Sequence, residues 1–296
     1  MKMKRNTLIN LSLVIVIGIL VLMTVYEPGI EKPAEAPLLL SLKRDDVKHI
    51  LIHRDGQETV ELEKNPDGKW QLLQPIKIAA SSFRIDSLLR ITESKSLSSF
   101  SADPAKLAGY KLDKPSAELI LNDTVKLAFG AATPLDQRRY VLFDNKVHLI
   151  TDNLYYFMIS AWPTFVSMKP MPQKETISAL QLPGLKLQWQ DNRWQLKPKQ
   201  ETSSTDNITA LLDTWKYLAA TSVKVYDGKK GDQIIIHFKD EEKPLQFLLT
   251  ARKPDLILAR PELGIEYHFP SELADKILAL PKPKEAGKAA TPTEEK

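Results

Sequence analysis

Residues 7–26 read TLINLSLVIVIGILVLMTVY, a stretch without a single charge lying directly behind Lys2, Lys4 and Arg5. About 20 such residues, at ~1.5 Å rise each, span the ~30 Å hydrocarbon core of a bilayer as a helix. The basic residues precede the stretch, whereas the next charges after it are Glu27 and Glu31. That asymmetry holds residues 1–6 in the cytoplasm and sends everything after Tyr26 across the membrane. A cleaved signal peptide would carry a shorter apolar core with a small-x-small site close behind it. Here the stretch ends in Val25-Tyr26-Glu27-Pro28, and the nearest such site, Ala34-Glu35-Ala36, lies well downstream and is followed by Pro37. The expectation is an uncleaved signal anchor that contacts the lipid bilayer through residues 7–26.

The chain has 296 residues and no cysteine. Disulfides, thiolate metal sites, a cysteine nucleophile and a lipoprotein anchor are all excluded by that absence. It also fits a bacterial envelope better than a eukaryotic surface, so the expected location is the inner membrane with the bulk of the chain in the periplasm. Lys and Arg total 41 against 37 Asp and Glu, for a net charge of +4. Lys2, Lys4 and Arg5 supply three of those charges, so the exported part is close to neutral and carries no basic stripe for a nucleic acid. With 11 glycines in the whole chain, Gly-rich phosphate loops are also disfavoured.

Beyond the anchor, Pro28, Pro33 and Pro37 mark residues 27–44 as an extended linker. Residues 281–296, PKPKEAGKAATPTEEK, read as a disordered tail. Between them the chain repeats itself. Gly68-Lys69-Trp70-Gln71-Leu72 is matched by Asn192-Arg193-Trp194-Gln195-Leu196, each behind a strand and an Asn/Asp/Gly turn that predict a β-hairpin. Ile85, Leu88 and Leu89 match Ile208, Leu211 and Leu212, an i, i+3, i+4 spacing that places one helix face in a core. Ser81 or Ser82, and Ser204 or Asp206, are candidate caps. Strands follow each helix, and a short helix closes each unit. The expected fold is α+β. An N-terminal transmembrane helix is followed by two similar modules, 45–172 and 173–280, each an antiparallel sheet packed with one main helix. Trp70 and Trp194, with Leu88, Leu89, Leu211 and Leu212, are the expected structural core.

The hairpin with Trp-x-Leu-x-x-Pro, the Leu-Leu helix, Gly109-Tyr110-Lys111-Leu112-Asp113-Lys114-Pro115, Leu127-Ala128-Phe129-Gly130 and Tyr140 together resemble the domain of unknown function 4340 (DUF4340). The family box is Tyr-Gly-Leu-Asp-x-Pro; here Gly109 precedes Tyr110, and Lys111 stands where glycine is usual. Asp227-Gly228-Lys229-Lys230-Gly231-Asp232 of the second unit hardly matches it. The resemblance implies a membrane-anchored periplasmic protein associated with gliding-type ABC transporter components. It carries no catalytic residue, metal or cofactor with it.

The residues themselves offer little chemistry. His49 and His53 fall on a strand, about 13 Å apart at ~3.3 Å per residue, so they do not form a metal pair. His148 and His268 fall in matching strands and read as packing residues. No metal-ligand motif, Gly-x-Ser-x-Gly, Ser-x-x-Lys or Walker pattern is present. Asp240-Glu241-Glu242 sits in a hairpin loop, and Ser98-Ser99 and Ser203-Ser204 read as helix ends. The expectation is a non-catalytic protein without cofactor or metal, acting as an accessory or scaffold component of an envelope complex. The aromatic segment 154–166 joins the modules and reads first as a helix that glues the two sheets together; in the sharper reading it is exposed and supplies the candidate partner-docking residues Tyr156, Trp162 and Phe165. A glycan-binding module is one alternative, and would need Tyr110, Tyr140, Trp162 and Trp189 exposed together. An envelope hydrolase is another, and would need acidic or histidine side chains converging in one pocket.

Overall fold

Alternation and turn chemistry account for most of what the chain does locally. The computed structural model describes residues 5–26, 35–134, 136–172, 175–199 and 204–281, with side chains from residue 9 to 24 in the first of these segments. The chain divides at Pro37 into two units.

The first unit contains α1 (Arg5–Tyr26), whose described side chains are exposed and uncharged, and apolar apart from Asn10, Ser12 and Thr24. The Ser12 hydroxyl donates to Ile9 O at 2.8 Å and that of Thr24 to Leu20 O at 2.8 Å, so these polar groups are satisfied within the helix. Among the described residues, no helix is long and apolar enough to cross a membrane. The expected anchor, 7–26, extends past the described side chains at both ends.

In the second unit, the first sheet is built from β1 (His49–Arg54), β2 (Val60–Lys64), β3 (Trp70–Gln74), β4 (Ile78–Ala79), β5 (Ser98–Ser101), β6 (Ala117–Leu121), β7 (Val125–Ala132), β8 (Arg138–Phe143) and β9 (Lys146–Thr151). Between β4 and β5 lies α2 (Ser82–Leu89), and after β9 comes α3 (Tyr155–Ile159). The second sheet contains β10 (Ile177–Leu182), β11 (Leu185–Gln190), β12 (Arg193–Lys197), β13 (Ser222–Val225), β14 (Asp232–Phe238), β15 (Leu245–Ala251), β16 (Asp255–Arg260) and β17 (Ile265–Pro270). Its helices are α4 (Thr205–Lys216), before β13, and α5 (Ala274–Leu278) at the end.

The strand orders are β4-β3-β2-β1-β6-β7-β8-β9-β5 and β12-β11-β10-β14-β15-β16-β17-β13. Apart from β4 the two paths are the same. A three-strand meander runs to one edge, the chain passes through a helix to the opposite edge, and a four-strand meander fills the gap between them. Every pairing is antiparallel, so the repeat in sequence is also a repeat in topology. The hairpin turns have their residues at positive φ, Asn122-Asp123, Asp144-Asn145 and Asp191-Asn192, as type I′ geometry demands. Register then sets the faces: Ile50 opposite Leu121 and Ile52 opposite Leu119 are all buried.

Both predicted caps form. The Ser81 hydroxyl accepts the Arg84 N–H at 3.5 Å and that of Ser204 accepts the Asn207 N–H at 3.2 Å. Ile85, Leu88 and Leu89 are buried, as are Ile208 and Leu211, whereas Leu212 is half-buried. Neither Trp70 nor Trp194 is at the centre of the core; both are half-buried and pack on its flank. They stand on β3 and β12, at or next to a sheet edge, where little is left to cover a large ring. The fully buried tryptophan is Trp215 of α4, which donates its indole N–H to Ile277 O at 2.8 Å and lies 6.1 Å from the Phe247 ring.

Two assignments differ from expectation. The linker ends at Pro37 rather than residue 44: Leu38 bridges to Lys95, the Leu39 N–H reaches Ser94 O at 2.7 Å, and Leu39 and Leu40 are buried. Leu39 and Leu40 gain more by entering the core than by staying in water, while Leu38 remains exposed. Ser98-Ser99 is not a helix end but part of edge strand β5. The segment joining the modules packs onto both of them, as its gluing role requires. The Ser81 N–H donates to Phe165 O at 2.7 Å, Ser167 N–H to Ala79 O at 2.8 Å, and Ala220 N–H to Met168 O at 2.8 Å. Residues 165–168 are thus stitched to both modules, and the buried apolar residues form one continuous core. Ser203 and the tail beyond Pro281 lie outside the described residues.

Candidate functional site

The segment from Asp152 to Phe165 gathers most of the unusual side chains of the first module. It begins in a buried ion pair. Arg139 of β8 donates through Nε and Nη2 to the two Asp152 oxygens, each at 2.8 Å, and through Nη1 to Gly130 O at 2.5 Å. The guanidinium carbon lies 3.5 Å from the centre of the Tyr155 ring, a stacked cation–π contact. The Tyr155 hydroxyl donates to Ser116 Oγ at 2.7 Å, which pins the start of α3 to the strand β6 side of the sheet.

The next residue faces outward, and the one after it is half-buried against the edge of the core. Tyr156 is 69% exposed, and its ring centre lies 5.9 Å from that of Phe157. Phe157 in turn meets Phe83 edge-on at 6.1 Å, and Phe83 is 65% exposed. Arg84 stands 5.4 Å from the Phe157 ring and donates to Ser160 Oγ at 3.4 Å; burial lowers its pKa from the ordinary arginine value, with Tyr156 opposing. Three aromatic rings and a guanidinium therefore form one exposed patch across α2 and α3. Of the three expected docking residues, Tyr156 belongs to this patch. Trp162 is half-buried and packs against the core, and Phe165 is 0% exposed, inside it. Phe83 and Phe157 were not expected. A signal existed for Phe83, an apolar residue off the Ile85–Leu88–Leu89 stripe of its own helix.

The resemblance box has a geometric explanation. Residues 107–112 fold onto the face of β7 and β8 opposite the core, with the Tyr110 ring 4.6 Å from Tyr140 and 5.5 Å from Phe100, and Leu112 buried. Lys111 adopts φ +54°, the left-handed conformation that glycine reaches without strain. Gly130 makes the approach possible: a Cβ there would lie 2.3 Å from Tyr110 O and 2.9 Å from the Leu112 side chain. Gly130→Ala is therefore expected to push the box off the sheet and destabilise the protein by ~1–3 kcal/mol. Gly109→Ala, where nothing lies within 4 Å, serves as the near-neutral control in the same urea titration.

The histidines do not converge. His49 lies between Asp123, at 2.8 Å, and Glu61, at 3.2 Å, and His53 reaches Thr59 at 3.2 Å. His148 and His268 are both buried in matching strands β9 and β17. His148 meets Ser96 at 2.9 Å and burial lowers its pKa, while His268 lies between Asp255 and Glu266 on opposite ring nitrogens. Among the described residues, no group of three or more His, Asp or Glu side chains is placed to hold a metal ion.

The chain matches the family model of a domain of unknown function, DUF4340, over residues 70–227, more than half its length, and belongs to that family. The match begins at Trp70 in β3 and ends just after β13, so it covers parts of both sheets and includes the box at 109–115. Comparison with curated proteins and with solved structures gave no match.

Proposed function

We propose that this DUF4340 protein is a non-catalytic accessory or scaffold component of an envelope complex, docking a membrane-protein partner through the aromatic patch on α2 and α3. The observation that carries the reading is the patch itself. Phe83 and Tyr156 expose large rings that each meet the half-buried Phe157 ring, with Arg84 beside it, and aromatic residues with arginine are the side chains that most often anchor interfaces. In this reading residues 7–26 hold the chain in a bacterial inner membrane with its N-terminus in the cytoplasm, and the two similar modules stand in the periplasm. The charge-free apolar composition of that stretch and the basic residues before it support the placement. ABC-type, gliding-like transporter components are the partner class that the family resemblance favours. A glycan-binding role draws less support. Tyr110 and Tyr140 are half-buried against each other in the first module, while Trp189, 48% exposed, stands on β11 in the second.

The test is purification of the full-length protein from native membranes in mild detergent, with and without crosslinking. A stoichiometric membrane partner is expected, and a Phe83→Ser/Tyr156→Ser variant is expected to weaken its retention by tenfold or more, about 1.4 kcal/mol. Both side chains are exposed, so circular dichroism should report an unchanged fold. Recovery of the protein alone after crosslinking, or full retention of the partner by the folded variant, overturns the reading.

A further inference from the structure

One end of the first module's core is polar. Arg54 pairs with Ala117 across β1 and β6, and so continues the buried face of Ile50 and Ile52 past the last apolar layer. Its side chain is 7% exposed. Nη1 donates to the carbonyls of Ser160 and, at 3.5 Å, Met158, and Nη2 to that of Glu58. A guanidinium has five N–H donors and stays charged at any ordinary pH. Here Nε has no partner, and among the described residues no carboxylate is hydrogen-bonded to the group. Arg139, at the same end of the module, provides the contrast, since its Nε and Nη2 hold both oxygens of Asp152. Burial draws the Arg54 pKa down, with Glu58 opposing, as befits a cation short of counter-charge.

Arg54 also lines a cavity of about 680 Å³ between the end of β1, the loop entering β6, and α3. That volume falls within the range of small-molecule sites. The cavity places Lys114 and His53 near Arg54, gives Gln57 and Tyr155 as hydrogen-bonding groups, and has Pro115 and Ile159 as an apolar wall. Asp55 and Glu118 also line it, and Glu118 is engaged by Lys126 at 2.9 Å.

We infer that this cavity binds a small monocarboxylate with a polar body, a peptide carboxy-terminus or a uronic acid, whose carboxylate neutralises Arg54 with Lys114 as the second cation. The two carboxylates of the lining favour a singly charged ligand over a doubly charged phosphate. The cleft is open to solvent, and charge-assisted carboxylate–guanidinium pairs, often bidentate, are among the stronger polar contacts a site can make. The site takes different α3 residues from the docking patch, whose Tyr156 and Phe157 do not line it, although Ser160 bonds both Arg54 and Arg84.

Isothermal titration calorimetry on the full-length chain in detergent tests this with N-acetyl-dialanine, glucuronate and inorganic phosphate. At least one carboxylate is expected to bind saturably at one site and more tightly than phosphate, and the tighter of the two identifies the source as peptide or sugar acid. Lys114→Ala, which alters an exposed side chain, is expected to weaken that binding about fivefold, and Arg54→Lys to weaken it further. Should Arg54→Lys fail to fold, Lys114→Ala still decides. Absence of saturable binding by both carboxylates, tighter binding of phosphate, or unchanged affinity in Lys114→Ala overturns the proposal.

Discussion

Trp215→Ala is expected to cost ~3–5 kcal/mol of unfolding free energy, the range for removing a fully buried tryptophan. Trp215 is the largest side chain that the core encloses completely, and it acts at three levels. It completes the buried face of α4 with Ile208 and Leu211. Its ring lies 6.1 Å from Phe247 of β15, which fixes the helix on the sheet. Its indole N–H, bonded to Ile277 O at 2.8 Å, ties α4 to α5. Alanine removes the ring, leaves a cavity, and orphans a buried carbonyl. Trp215→Phe retains most of the volume and loses the hydrogen bond, so about 1–3 kcal/mol is expected for it. Chemical denaturation of the full-length protein, followed by far-ultraviolet circular dichroism, measures both. A loss below ~1 kcal/mol for the alanine variant would mean that the helix is held elsewhere. Trp70→Ala and Trp194→Ala should each cost less, because both rings are half-buried.

Asp152→Ala is expected to be comparably severe in the first module, ~3–5 kcal/mol, because breaking a buried ion pair leaves one charge without its partner. The Arg139 and Asp152 side chains are 10% and 17% exposed. With the carboxylate gone, Arg139 retains only Gly130 O and the face of Tyr155. Arg139→Met/Asp152→Leu should regain much of the loss, since well-packed apolar replacements of buried pairs are often neutral or better. The double variant distinguishes an uncompensated charge from simple loss of packing: if it is no more stable than Asp152→Ala, the packing explanation holds. Because Tyr155 stacks on Arg139 and begins α3, the single variant should also loosen the aromatic patch. Its partner retention would then fall without any change at Phe83 or Tyr156.

Much of the architecture was legible from the chain alone because it rests on short-range rules. The Asn-Asp, Asp-Asn and Gly68 turns carry their φ preferences wherever they stand. Ser81 and Ser204 cap helices through groups three residues away, and alternating apolar residues set strand faces. Applied twice, the same local grammar yields the same strand order twice. The tryptophans show where that grammar stops: Trp-Gln-Leu marks a strand in both modules, yet burial depends on what covers the strand, and β3 and β12 lie at the margins. Trp215 was within reach of the pattern, four residues beyond Leu211 on the same helix face. The aromatic segment likewise announced its composition, but not which rings would point into the core.

Sequence by itself determined the α+β class, the duplication, the helix caps and turns, and the family box, because each depends on neighbours a few residues apart. Tertiary structure alone decided that Phe165 is buried while Phe83 and Tyr156 meet Phe157 at the surface, that Gly130 admits the box, and that among the described residues no carboxylate hydrogen-bonds Arg54 beside its cleft. Those outcomes depend on β1 pairing with β6 across an intervening helix and on α3 folding back over both strands. Such contacts join residues far apart in the chain, and the burial and charge balance they create exist only once the sheet has closed.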